Sequence, residues 1–198
     1  MPSRDEILRD IRRTTIAPAA LPEVAGDWIT YADRPRQFAA MVEVVGGRCH
    51  HVQNTSEIDG LLAQLPAWTS AVKSISHVPG VGRSTFDPSA VEDPHTLEDV
   101  DCAILPGIFG VAENGAIWVT GDDVKHRALY FIVQHLALVL PADQLVDNMH
   151  QAYTRLTFPN VGFGTFLSGP SKTADIEQSL VIGAHGPRSL NVFLVGIS

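Results

Sequence analysis

A single carboxylate, Glu113, stands in "GVAENGAIWVT" (residues 110–120), between Gly110 and the pair Asn114-Gly115, with apolar residues on both sides. Two chemistries suit that arrangement. Asn-Gly accepts the positive φ of a tight turn, so Glu113 can be a solvated turn residue. A carboxylate at a strand end amid little competing polarity can instead be partly withdrawn from water, where it acts as a nucleophile or holds a ligand. Two later stretches invite similar questions. In "SGPSKTADIE" (168–177) a strand ends at Ser168, a loop follows through Gly169 and Pro170, and a helix is expected from about Thr173. Free N–H groups at such a helix start suit an anion, with Ser168, Gly169, Ser171, Lys172 and Thr173 around it. The same residues serve equally well as a plain helix cap. In "GAHGPRSLNVFLV" (183–195), His185 lies between two glycines with Arg188 close by. A histidine there can be an acid, a base, a ligand or a loop donor.

Other chemistries are weaker or excluded. Gly164 and Gly169 have the spacing of a phosphate-binding P-loop, but Pro170 stands where that motif needs lysine, and Lys172 comes too late. His95, Asp99 and Asp101 are a loose set for a hard cation, no histidine pattern carries a zinc signature, and no metal site is expected. Gly80-Val81-Gly82 lacks the third glycine of a dinucleotide fingerprint.

The elements that must position these groups alternate between helix and strand. "SRDEILRDI" reads as a helix with a capping box, Ser3 to Glu6. An extended arm follows to residue 34, and residues 35–198 read as one α/β domain. Within it, "PRQFAAMVEVVGG" is a helix, "RCHHV" a strand, "TSEIDGLLAQLP" a capped helix and "VKSISHV" a strand. Residues 79–100 break the pattern and form a long loop. "DCAILPGIFGVAENGAIWVT" gives two strands around Glu113, "DVKHRALYFIVQ" a short helix and "HLALVLP" a buried strand. "ADQLVDNMHQAYTRL" reads as one amphipathic helix, with Leu145, Met149, Ala152 and Leu156 near one face. The strand "TFLSG", the helix "TADIEQSLV" and the strand "LNVFLVG" complete the chain. Strands that are apolar throughout predict a Rossmann-like α/β fold, with a mainly parallel sheet covered by helices on both faces. Ligands in such sheets are expected at the carboxyl ends of the strands.

A formal charge of −8, from 14 basic and 22 acidic residues, argues against a nucleic-acid partner. Two isolated cysteines, Cys49 and Cys102, are too few for a disulfide framework, a cysteine zinc site or an all-cysteine iron–sulfur cluster. The run "ALYFIVQHLALVLP" is too short to span a bilayer, and the charged start lacks the apolar core of a signal peptide. A cytoplasmic protein is expected.

Taken together, "GVAENGAIWV", "LALVLPADQLVDNMHQA" and above all "SGPSKTADIEQSLVIGAHGPRSLNVFLV" resemble the LUD-domain family, of the lactate utilisation protein C type. The resemblance runs from about Asp101 to the end and is looser before it. It implies a fold like that of the isomerase and CoA-transferase superfamily. It also implies a subunit or accessory, rather than a complete enzyme, in the oxidation of L-lactate to pyruvate. Iron–sulfur clusters would sit in partner subunits, with no cofactor in this chain, and the reading leaves room for a homo-oligomer. From the residues themselves, at strand ends and an expected helix start, Glu113 is the candidate catalytic group. Gly110, Asn114, Gly115, Ser168, Gly169, Ser171, Lys172, Thr173, His185 and Arg188 would surround a small carboxylate or phosphate. The family pattern A-E-T-G-T is here Ala112-Glu113-Asn114-Gly115-Ala116, without either threonine hydroxyl. That change brings the turn nearer the S-E-N-G of CoA transferases, whose glutamate is a covalent nucleophile. A transferase- or isomerase-like enzyme using Glu113 and a non-catalytic assembly module are the alternatives.

Overall fold

The computed structural model describes residues 3–13, 26–156, 162–174, 180–183 and 185–197. Its centre is a five-stranded, wholly parallel sheet of β1 (Arg48–Val52), β2 (Ser74–Ser76), β3 (Cys102–Pro106), β6 (His135–Pro141) and β11 (Ser189–Val195), in the order β1-β11-β6-β3-β2. Successive side chains of a strand face opposite ways, and here both faces are covered. Leu105, Leu138, Leu140, Val192 and Leu194 pack on one face with Phe38 and Val42 of α2 (Arg34–Val44) and Leu129 of α5 (Leu129–Ile132). Ile104, Ala137, Val139 and Phe193 pack on the other with Ile58 and Leu62 of α3 (Ile58–Leu62) and Trp68 of α4 (Pro66–Thr69). Burial on both sides is why these strands are apolar along their length rather than alternating.

A second, four-stranded sheet runs β7 (Leu145–Val146), β4 (Phe109–Val111), β5 (Ala116–Thr120), β8 (Gly164–Leu167). Ile117, Val119 and Leu145 join the first core. Phe109, Val111, Trp118 and Val146 pack outward with Ala152 of α6 (Met149–Arg155). A third pair, β9 (Lys172–Ala174) and β10 (Leu180–Ile182), is antiparallel. Helix α1 (Arg4–Arg13) has no buried residue. No helix among the described residues is long and apolar enough to cross a membrane.

Three expectations are corrected. "DCAILPGIFGVAENGAIWVT" makes three strands, not two. The chain leaves the parallel sheet at Gly107, where a Cβ would stand 2.7 Å from Ile117 Cγ2, and starts the second sheet as β4. "ADQLVDNMHQAYTRL" is not one helix. Leu145 and Val146 pair with β4, and the helix restarts at Met149 under Asn148, whose side chain accepts from Gln151 N–H. Asp and Asn offer the backbone local alternatives to a helix, and the pair Asp147-Asn148 breaks it here. "TADIEQSLV" does not begin as a helix at Thr173, because Lys172–Ala174 and Leu180–Ile182 are paired strands; residues 175–179 lie outside the described residues. Residues 79–100 hold no α-helix or strand, as expected; they contain two 3₁₀ turns, Pro88–Ala90 and Pro94–Leu97, each capped by an aspartate side chain, and Leu97 and Val100 are buried in the core.

Candidate functional site

The turn that carries Glu113 joins β4 to β5. Gly115 N–H donates to Val111 O at 2.9 Å and Ala116 N–H to Asn114 Oδ1 at 3.1 Å. Gly115 has φ +66°, and a Cβ there would lie 2.9 Å from the backbone nitrogen of Val42, so glycine is required both for the conformation and for the approach to α2. Gly110 is buried, and a side chain would meet Leu145 and Phe38 at under 3 Å. The Glu113 side chain is exposed. Its Oε2 accepts from Met149 N–H at 2.9 Å, and its own N–H donates to Asp147 O at 2.9 Å. The carboxylate therefore supplies a long-range cap to α6, where a negative charge complements the free N–H groups.

Beside it lies a group that periodicity concealed. Asp147 is 1 % exposed; its Oδ1 accepts from Tyr31 N–H at 3.0 Å and from Arg34 Nε at 2.9 Å, and its Oδ2 from Gln151 Nε2 at 3.1 Å. Burial pushes its acidity toward the neutral form, but the Arg34, Tyr31 and Gln151 hydrogen bonds outweigh that and hold it below the usual carboxylate range. Asn148 Nδ2 donates to Ile29 O at 2.8 Å, and Trp28 stacks on His150 with centroids 3.6 Å apart. These contacts fasten residues 28–34 to the second sheet. The legible signal was an Asp-Asn pair in the middle of a supposed apolar helix.

The C-terminal motif meets the Glu113 turn directly. Ser168 Oγ donates to Asn114 O at 3.0 Å. Gly169 has φ +77°, and a Cβ would collide with the Val45 carbonyl. Ser171 N–H donates to Pro187 O and Gly183 N–H to Ser171 O, both at 2.9 Å, which ties the two halves of the motif together. A groove of about 230 Å³ runs here, walled by Tyr130, Phe131, Phe166, Ser168, Ser171 and His185. His185 and Lys172 are exposed; the Thr173 side chain lies outside the described residues. Asn114, Ser168, Gly169, Ser171 and His185 thus share one edge. Glu113 and Lys172 do not line that groove, and Arg188 lines an adjoining cleft. The edge lies at the amino ends of the parallel strands, since Arg188 N–H donates to Gln134 O just ahead of β6 and β11. This is opposite to the carboxyl-end placement expected from sequence.

The three residues considered for a hard cation are already engaged. His95 pairs with Asp93, Asp99 with Lys73, and Asp101 accepts from the backbone N–H groups of Val72 and Lys73. Among the described residues no group of three His, Cys, Asp or Glu side chains is placed to hold a metal. Burial, reinforced by Glu43 and Asp101 respectively, pushes the Cys49 and Cys102 thiols up to about 12, far from the thiolate form that nucleophiles and metal ligands need.

Three comparisons bear on this geometry. The LUD domain profile matches residues 83–195, more than half of the chain. The chain is 33% identical over 96 residues to the lactate utilization protein C of Shouchella clausii, a match covering 46% of this chain and 42% of that protein. It is 28% identical over 137 residues to the lactate utilization protein C of Geobacillus kaustophilus, covering 65% and 53% respectively. These matches thus span about half the length of those relatives. The fold superposes on the crystal structure of a DUF162 family protein from Deinococcus radiodurans with TM-score 0.60 and 23% identity, over 82% of this chain and 96% of that one. By the extent of the profile match, the chain belongs to the LUD-domain family.

Proposed function

We propose that this protein serves lactate utilisation in the cytoplasm, as a LUD-domain subunit beside iron–sulfur partner subunits. The observation that carries the reading is the LUD match over residues 83–195, together with relatives named lactate utilization protein C. Oxidation of L-lactate to pyruvate releases two electrons and two protons. In this reading the partner subunits take the electrons, and this chain contributes a shaped edge of Asn114, Ser168, Gly169, Ser171 and His185 that a small carboxylate or a partner loop engages. Glu113 is a positioning residue: bonded to Met149 N–H, it holds the turn and α6 in register. That bond occupies one carboxylate oxygen and favours the positioning role over covalent attack on an acyl-CoA. Anaerobic purification of the tagged full chain tests the proposal. Recovery of iron-bearing partners and lactate-dependent dye reduction is the expected result; a chain that elutes alone, from cells that oxidise L-lactate normally without it, overturns it.

A further inference from the structure

A second cleft opens beside the groove, on the α3–α4 face of the parallel sheet. It has a volume of about 350 Å³ and lies between the segment Leu65–Trp68 and the amino ends of β1, β6 and β11. Strand register explains its lining. Arg48 pairs with Asn191 and His135 with Ser189. Strand alternation keeps Arg48 on the side of Val52, His135 on the side of Ala137 and Val139, and Asn191 on the side of Phe193, all facing α3. Arg188 enters from the loop ahead of β11.

The polar groups in this wall are mostly hydrogen-bond donors. Among the described residues no aspartate or glutamate lines the cleft, in a chain whose formal charge is −8. Among the described residues neither the Arg48 nor the Arg188 guanidinium has an ion-pair partner, whereas Arg13, Arg34 and Lys73 each have one. Asn191 is 4 % exposed. Its Oδ1 meets His50 Nε2 at 3.1 Å, and its amide NH₂, the donor end, has no other partner among the described residues. His135 Nδ1 meets Ser189 Oγ at 2.8 Å, which leaves Nε2 for the cleft. Donors that face a cleft without an acceptor are open to the oxygens of an arriving anion.

We propose that this cleft is a binding site for a small organic anion, a carboxylate or a phosphate, held between Arg48 and Arg188 with the Asn191 amide as a third donor. Two guanidinium forks and an amide match the flat or tetrahedral oxygens of such groups. The volume falls at the lower end of the range for small-molecule sites. The inference goes beyond the role in lactate utilisation and does not depend on it.

Calorimetric titration of the full chain with malonate and, separately, inorganic phosphate at constant ionic strength tests it. One-to-one binding of at least one probe is expected, and which probe binds decides between carboxylate and phosphate. Arg48→Gln and Arg188→Gln should each weaken binding about tenfold, and the double substitution should remove it. Both side chains are exposed, so these variants should fold, which unchanged thermal unfolding checks. Asn191→Asp should also remove binding by setting a carboxylate in the wall. Arg127→Gln, whose guanidinium lies over Phe163 away from the cleft, should leave it unchanged. No binding of either probe at 10 mM (about the weakest useful affinity, somewhat above the millimolar constants of weak complexes), or binding retained in the Arg48→Gln/Arg188→Gln variant, overturns the proposal.

Discussion

The parallel sheet and the layer bearing the Glu113 turn are held by different physics. In the sheet, β6 and β11 bury five consecutive residues each, and position along the strand alone decides which face a side chain covers. In the turn layer, placement depends on individual polar bonds: Asp147 to Tyr31 and Arg34, Glu113 to Met149, Ser168 to Asn114. It depends also on positive-φ glycines pressed against α2. The first kind of order tolerates any apolar residue of about the right size. The second fails when one particular atom is removed.

The contrast can be broken from either side. Leu138→Ala, at the fully buried middle of the central strand, should have the largest effect, a loss of about 3–5 kcal/mol in urea unfolding. A loss well under 2 kcal/mol would mean that the sheet is not the main source of stability. Asp147→Ala should follow at about 2–3 kcal/mol, less than a fully buried pair because Arg34 is half exposed. It should also free residues 28–34, seen as early proteolytic cleavage there. The pH dependence of this site has a defined sign. Asp147 is held below its unfolded value of about 3.9, so its contribution is complete above that pH and is lost as pH falls through the lower folded value. The stability gap between the wild type and Asp147→Asn should therefore be constant near neutrality and shrink in acid. A gap that widened in acid would reverse the assignment.

Gly169→Ala combines a left-handed backbone with a collision at Val45 O, and about 1–3 kcal/mol should be lost in thermal unfolding. The smallest effect should be Glu113→Gln, on the order of 0.5 kcal/mol, because the amide keeps an oxygen for Met149 N–H and only the charge at the end of α6 is lost. Mass spectrometry of the intact chain after exposure to acyl-CoA should show no adduct at Glu113; a hydroxylamine-sensitive adduct would make it a nucleophile instead.

What could be read from sequence follows the same division. "HLALVLP" and "LNVFLVG" announce strands buried on both faces, and "PRQFAAMVEVVGG" announces its helix by a proline start and a glycine stop. The second layer is illegible for a physical reason. Leu145, Met149, Ala152 and Leu156 do have helical spacing, but Leu145 pairs with Gly110 of a strand 35 positions earlier, and only that tertiary pairing overrides the local pattern. Lys172–Ala174 is likewise strand only because Leu180–Ile182 pairs with it. The residues of the candidate site were named through glycines and motif order. Their position at the amino ends was not, because strand order in a sheet is set by long-range contacts.

The proposal that this chain works as a LUD subunit in lactate utilisation is tested most directly by L-lactate oxidation in cell extracts with and without the chain. Removal should abolish lactate-dependent dye reduction, the wild-type chain should restore it, and Glu113→Gln, which keeps the bond to Met149 N–H, should restore most of it. Full activity in the absence of the chain, with no iron-bearing partner bound to it, would contradict the proposed role.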